Sequence, residues 1–409
     1  MKVVIVSQYF WPENFRINDL VSGLRERGHE VRVLTGMPNY PGGQIFTGYS
    51  LFKLFKETYA DDIPVFRVPL IPRGNGTRLR LIFNYLSFVI SACLLGPLRR
   101  LGHVDLIFVY EPSPITVGLP ALLLKKLKSA PVMFWMQDLW PESLSATGAV
   151  RSVKILKMVD MLVRFIYKGC DRILVQSQAF FEPVKHRGGD PDSILYFPNS
   201  AEKLYQPVML EKDASERAVM PEGFCVTFAG NIGAAQDFGT ILNAAEILKD
   251  HTEINWVIIG DGRMFPWVKS QVVKRNLMQT VHLLGRYPIE AMPRFFALSD
   301  ALLVTLKKEP IFSLTIPSKI QSYLACAKPI ISALDGEGAR VIKEADAGLT
   351  CPAENPEALA KAVLTLYNMP LSERQTMGAR GRTYFNLHFE HKILLDRLEI
   401  WMEELIKDK

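Results

Sequence analysis

Four times in the second half of the chain, a short apolar run stops at glycine, arginine or lysine. Ala229 gives way to Gly230-Asn231-Ile232-Gly233, and Ile259 to Gly260-Asp261-Gly262-Arg263. Leu284 meets Gly285-Arg286, and Val304 meets a loop ending in Ile316-Pro317-Ser318-Lys319. Glycine lets a backbone approach a ligand closely, and the free N–H groups at a helix start attract anions. Arg263, Arg286 and Lys319 add full positive charges. Together these groups suit the holding of a phosphate or diphosphate, and the stabilisation of charge that develops on it as it leaves. One such joint is an ordinary strand–helix connection. Four along one sheet edge predict an anion-binding rim.

A second set of polar residues follows the apolar runs of the first half. Gln137-Asp138-Leu139-Trp140-Pro141-Glu142 comes straight after 132–136, and Glu111 follows 104–109. Glu13 and Arg16 lie just beyond the first run, and Asn39 and Tyr40 fall in a Pro-, Gly- and aromatic-rich stretch at 37–49. Polar residues after a parallel strand are placed to line a ligand site. Asp138 and Glu142 are the candidate carboxylates here. Asp138 equally suits a helix N-cap, with Pro141 in the first turn.

Positioning these residues requires two α/β domains. The chain has 409 residues, more than one ordinary core, with 48% apolar and 22% charged residues. β-Branched runs alternating with helical periodicity predict parallel sheets. The predicted division is an N-terminal Rossmann-like domain over 1–202, a charged linker over 203–222, a second Rossmann-like domain over 223–386, and a closing helix over 387–409. Pro317 is expected at the first helical position of the segment carrying Lys319. The first βαβ unit lacks GxGxxG, so no dinucleotide site is predicted there. A net charge of +6, with no arginine-rich tract or zinc spacing, argues against nucleic acid as a partner. Five scattered cysteines read as reduced thiols, and the N-terminus lacks a signal-peptide pattern, so a cytoplasmic location is expected.

Residues 78–100 (RLRLIFNYLSFVISACLLGPLRR) set basic groups at both ends of an apolar stretch. A spanning helix, a buried core helix and an interfacial helix all fit. The flanking arginines favour the interfacial one, on the inner face of the cytoplasmic membrane.

The motifs taken together resemble glycosyltransferase family 4, most closely its bacterial O-antigen and capsule branch with fucosamine transferases. The matching stretches are QYFWPE at 8–13, PNYPGG at 38–43, QDLWPES at 137–143, FPNS at 197–200, AGNIG at 229–233, IIGDG at 258–262 and PSKIQSYLA at 317–325. The resemblance implies a GT-B fold of two doubly wound parallel-sheet domains facing across a cleft, with the last helix crossing back to the first. It implies a UDP-type nucleotide-sugar donor on the second domain, held by Gly230, Asn231, Gly233, Gly262, Arg263, Gly285, Arg286, Pro317, Ser318, Lys319 and Ser322. It implies a lipid-linked or glycan acceptor on the first, near Glu13, Arg16, Asn39, Tyr40, Glu111, Trp140 and Glu142. Transfer would retain anomeric configuration, with Asp138, Arg263 and Lys319 as the catalytic groups and neither metal nor cofactor. The transferred sugar would be an N-acetylated amino or deoxy-amino sugar.

One departure stands out. The family carries two glutamates eight positions apart; this chain has Leu314 and Ser322 there, and Ala327 where a glycine is usual. Either Glu309 and Ser322 substitute for them, or Asp335 and Glu337 do, or donor affinity is weak. The missing glutamates also leave room for a non-catalytic partner in glycan assembly, and the architecture for a nucleotide-sugar epimerase.

Overall fold

The computed structural model describes residues 1–50, 56–60, 62–99, 101–146, 150 and 152–407. Arg100 and residues 408–409, the ends of two predicted segments, lie outside them. The chain divides into two compact units, Met1–Pro198 with Leu395–Lys409, and Asn199–Leu394.

In the first unit the strands are β1 (Lys2–Val6), β2 (Glu30–Gly36), β3 (Lys56–Tyr59), β4 (Ile63–Val68), β5 (Leu106–Glu111), β6 (Val132–Met136), β7 (Arg172–Val175) and β8 (Ile194–Tyr196). Their order across the sheet is β3-β4-β2-β1-β5-β6-β7-β8. All pairings are parallel except β3 with β4. β5 and β6 are buried at every residue, which is why they read as unbroken apolar runs. Helices α1 (Arg16–Glu26), α2 (Arg78–Leu95), α3 (Gly118–Lys128), α4 (Glu142–Ala146) and α5 (Val153–Gly169) connect them. α1 buries Ile17, Leu20, Val21 and Leu24, a helical stripe that fixes its facing.

The β3–β4 pair was not expected. β4 contains Pro64 and a fully buried Arg67, both poor strand signals. Arg67 is accommodated because Glu57 of β3 pairs with it and the carbonyls of Gly36 and Trp11 accept from it. A buried charge is tolerated when it is paired and fully hydrogen-bonded.

α2 buries only Asn84, Phe88 and Ala92, one i, i+4 stripe. Its other face exposes Leu79, Ile82, Phe83, Leu86, Ile90 and Leu94. The helix is long and apolar enough to cross a membrane by length and composition, and 22% of it is buried. The buried-core reading of this stretch is therefore incorrect. α5 likewise buries Val163, Ile166 and Tyr167 and exposes a large apolar face. α3 packs against both α2 and α5. The last helix, His391–Lys407, pairs Asp396 with Arg27 at 2.7 Å, and Glu399 with both Arg27 and His29.

The second unit has β9 (Phe224–Ala229), β10 (Ile254–Ile259), β11 (Val281–Gly285), β12 (Ala301–Thr305), β13 (Ile330–Ala333) and β14 (Gly348–Cys351). They form a parallel sheet in the order β11-β10-β9-β12-β13-β14, with apolar cores on both faces. The winding direction reverses between β9 and β12, where doubly wound sheets open a ligand crevice at the strand tips. The stretch 203–222, expected as a free linker, belongs to this unit. Tyr205 stacks on Phe296 at 6.0 Å, and Glu216 pairs with Arg294 at 2.7 Å. Single side-chain anchors of this kind leave no periodic trace in sequence.

Candidate functional site

At the β9/β12 switch point the tip loops lock together through their backbones. Gly230 N–H donates to Ile259 C=O at 2.8 Å, and Gly260 N–H to Gly285 C=O at 2.7 Å. A Cβ at Gly260 would lie 1.9 Å from the Gly230 carbonyl, so no side chain fits there. A Cβ at Gly230 would meet Lys319 Cε at 2.8 Å. The bare backbone at 230 is therefore what gives Lys319 its place. Gly262 sits against the Ile232 carbonyl, and Asn231 reaches between Gly233 and Gly262. Gly233 is less open than the sequence suggests, since its N–H donates to Gln236 Oε1 at 3.1 Å.

Lys319 opens the Ser318–Ala325 helix, one residue after Ser318. Pro317 occupies the N-cap, not the first helical position expected for it. The Lys319 ammonium lies 3.4 Å from the centroid of the Phe228 ring, and no described carboxylate pairs with it. Burial without an anion lowers its pKa to about 7. Arg263 and Arg286 are exposed at the tips of β10 and β11. Gly285 closes β11 with φ +77° and open space around it. These strand ends thus gather three cations at one edge of one sheet.

Beside them, after β12 and β13, lies a cavity of about 460 Å³. Leu306, Pro310, Phe312 and Leu334 give it an apolar side, and Lys307, Lys308, Glu309 and Asp335 a charged one. Gly336, at φ +74°, brings its backbone against the Ser313 carbonyl and closes the wall. The substitutes for the missing glutamates now separate. The Ser322 hydroxyl donates back to Ser318 C=O in its own helix, and Glu337 is held by both guanidinium arms of Arg340. Glu309 and Asp335 face the cavity.

In the first unit, Asp138 follows β6 and Glu111 ends β5. Asp138 Oδ2 accepts from Ser113 Oγ at 2.6 Å, and Trp140 Nε1 donates to the same hydroxyl at 3.1 Å. Burial raises the Asp138 carboxyl above its ordinary range, and the Ser113 bond opposes that shift. Glu111 is fully buried, and its carboxyl faces the backbone N–H groups of Asp138, Gln137 and Ser113. Burial, and then the Asp138 charge, push Glu111 well above the usual carboxylate range. Ser113 carried no distinguishing sequence signal; its place in Glu111-Pro112-Ser113-Pro114, after an apolar run, was the available hint.

The remaining first-unit residues are placed differently from one another. Glu13 is buried and accepts from the backbone N–H groups of Asn39 (2.8 Å), Tyr40 (2.7 Å) and Phe10 (3.3 Å), and burial raises it to about 7. Asn39 is also buried, accepting from Arg73 N–H and Asn84 Nδ2. Both therefore shape the 37–49 loop from within, whereas the sequence suggested ligand contact. Tyr40 is exposed, packed beside Tyr9 and Phe15, with the Arg73 guanidinium 5.0 Å over its ring. Arg73 was not anticipated from the sequence. Arg16 begins α1 near Tyr110. Glu142 is committed to Arg187 at 2.6 Å, a structural pairing in place of the carboxylate role expected for it.

Comparisons with known proteins bear on this geometry. Residues 14–200 match the family model described as glycosyl transferase 4-like domain, and residues 211–384 the one described as glycosyl transferases group 1. The chain is 28% identical over 345 residues to a probable glycosyltransferase, WbjE, of Pseudomonas aeruginosa, covering 82% of this chain and 84% of that one. It is 25% identical over 337 residues to WcaI of Escherichia coli (strain K12), named a putative colanic acid biosynthesis glycosyl transferase, covering 80% and 81% respectively. Among solved structures, Anabaena Alr3699/HepE in complex with UDP superposes with a TM-score of 0.71 at 14% identity, covering 99% of this chain and 100% of that one.

Proposed function

Since the chain is a glycosyltransferase of GT-B fold with relatives in polysaccharide biosynthesis, we propose that it moves a sugar from a UDP-type donor to a lipid-linked saccharide, with retention of anomeric configuration. One observation carries this reading: Lys319 is a partly buried cation without an anion, set where the glycine loops of β9 and β10 meet. A diphosphate supplies the missing charge. The WcaI name and the UDP bound to HepE belong to those proteins, and they support the same reading here.

In this reading Lys319 and Arg263 hold the diphosphate, and Arg286 borders the base. As the glycosidic bond to phosphate breaks, negative charge grows on the leaving oxygen, and the cations at the strand tips stabilise it. In a front-face transfer the departing phosphate takes the proton of the acceptor hydroxyl, so a second carboxylate nucleophile is not needed. The cavity after β12 and β13 takes the sugar ring. Its apolar wall suits the methyl group of an acetamido or deoxy substituent, while Glu309 and Asp335 accept from ring hydroxyls. Asp138, oriented by Ser113, positions the acceptor. The exposed apolar face of α2 supports a position at the cytoplasmic surface of the membrane, where a lipid-linked acceptor would be met.

The test is thermal stabilisation by nucleotide diphosphates. UDP at 100 times its dissociation constant adds about 2.7 kcal/mol, and Lys319→Met should remove about half of that gain or more. A Lys319→Met protein stabilised as strongly as the parent refutes the site.

A further inference from the structure

We propose that Arg73 and Tyr9 form an oxyanion subsite on the first unit, for an acidic group carried by the saccharide acceptor. The proposal rests on the transferase reading above and names the chemistry of its acceptor. Arg73 is half-buried, and no carboxylate among the described residues pairs with it. Its Nη1 donates to the Tyr9 hydroxyl at 3.0 Å, and its guanidinium lies 5.0 Å over the Tyr40 ring and 5.8 Å over that of Tyr9. That hydrogen bond uses one N–H of the planar fork and leaves the others to meet a second group. The Tyr9 oxygen also accepts from Gln8 Nε2 at 3.3 Å. Both of its lone pairs are then occupied, and its own proton has no acceptor among the described residues. Tyr9 is buried, and burial keeps the phenol protonated. A guanidinium without an anion beside a buried O–H without an acceptor is a donor pair that a group with two charged oxygens completes.

The surroundings hold this pair rigidly and keep acids away from it. Arg73 N–H donates to Asn39 Oδ1 at 3.1 Å, and Gly74 N–H to Gly43 C=O at 2.8 Å. A Cβ at Gly43 would lie 1.8 Å from the Gly74 carbonyl, so the two loops are in backbone contact there. Beneath them, Gln8 Nε2 donates to Asn84 Oδ1 at 2.7 Å, and Asn84 Nδ2 to Ile71 C=O at 2.6 Å. Gln8, Asn39 and Asn84 are all buried, and all are neutral amides. The ordering cost of a long side chain is thereby met before any ligand arrives. Glu13, the buried carboxyl of the same region, is occupied by the backbone N–H groups of Phe10, Asn39 and Tyr40. Tyr85 of α2 feels the charges of both Arg73 and Asp138, so the subsite shares a rim with the residue that positions the acceptor. Two acidic groups present paired oxygens of this kind: the diphosphate joining a saccharide to its lipid, and the carboxylate of an acidic sugar.

Calorimetry in saturating UDP, which fills the nucleotide site of the second unit, tests this with two titrants, geranyl diphosphate and trigalacturonate. The parent is expected to bind at least one of them. Arg73→Gln should weaken that binding ~tenfold or more, the usual worth of a charge-assisted pair. Tyr9→Phe keeps the ring and removes only the hydroxyl, and should weaken it ~threefold or more. Binding of geranyl diphosphate alone assigns the lipid diphosphate, and of trigalacturonate alone the acidic sugar. Binding of both, with the same loss in each variant, assigns the oxyanion itself. Near-ultraviolet circular dichroism checks that the aromatic cluster is intact in each variant, and UDP affinity should be unchanged. A parent that binds UDP but neither titrant overturns the proposal and leaves the nucleotide site standing. So does an Arg73→Gln protein that binds the titrants as the parent does.

Discussion

The protonation of Lys319 offers the sharpest test of how the site binds its ligand. Its pKa is lowered to about 7 because burial strips the ammonium of its hydration. A diphosphate beside it restores the charged form, so nucleotide binding above pH 7 takes up a proton. Below about pH 7 the lysine is already charged and its contribution to UDP affinity should be flat. Above it, affinity should fall towards tenfold per unit, about fifty-fold from pH 7 to pH 9 for a group titrating at about 7. Calorimetry in two buffers of different ionisation enthalpy at pH 8 reads the proton directly. Lys319→Met should bind UDP about 10- to 100-fold more weakly at pH 7, the usual worth of a charged contact, and should lose the slope. The stability of the free protein carries the opposite signature. The folded pKa lies below that of the unfolded lysine, so the unfolded chain binds more protons between about 7 and 10.5, and stability rises with pH across that window. A Lys319→Met protein with the parental pH slope, or UDP binding at pH 8 without proton uptake, refutes the assignment.

The other predictions concern the neighbouring groups. Asp138→Asn should lower transfer by ~100-fold or more while leaving UDP affinity unchanged, read by radiolabelled sugar transfer. Ser113→Ala removes the hydrogen bond that holds Asp138 down, so the acid limb of the pH–rate profile should move to higher pH. Glu309→Gln/Asp335→Asn should weaken nucleotide-sugar binding with little change in UDP binding, measured by competition; equal losses for both ligands would exclude the cavity as the sugar pocket. Gly336→Ala places a Cβ 1.9 Å from the Ser313 carbonyl at φ +74°, and should cost about 1–3 kcal/mol by denaturant unfolding.

Much of the second unit was legible because its signals are local. A parallel strand buried on both faces is an uninterrupted apolar run, and the glycines after β9, β10 and β11 are required where backbones touch. The first unit hid more. β4 carries Pro64 and Arg67, and only the pairing with Glu57 on β3 makes that strand possible. Glu13 and Asn39 read as ligand contacts because they follow strands, but three backbone N–H groups claim Glu13 from the loops around it. The exposed apolar face of α5 was invisible for another reason. Methionine and phenylalanine at helical spacing look the same whether they face a core or solvent, and only the packing of Val163, Ile166 and Tyr167 decides which side is inward.

The first unit is sewn from two distant stretches of chain, and that sets an order of assembly. Arg27 and His29 complete their ion pairs, and Phe197 meets the Trp401 ring, only with residues synthesised nearly two hundred positions after Pro198. During translation the second unit can settle while the first still waits for its final helix. A fragment cut after Pro198 would lack the Asp396 and Glu399 partners of Arg27 and His29 and the Trp401 ring beside Phe197, and should aggregate more readily than the intact chain.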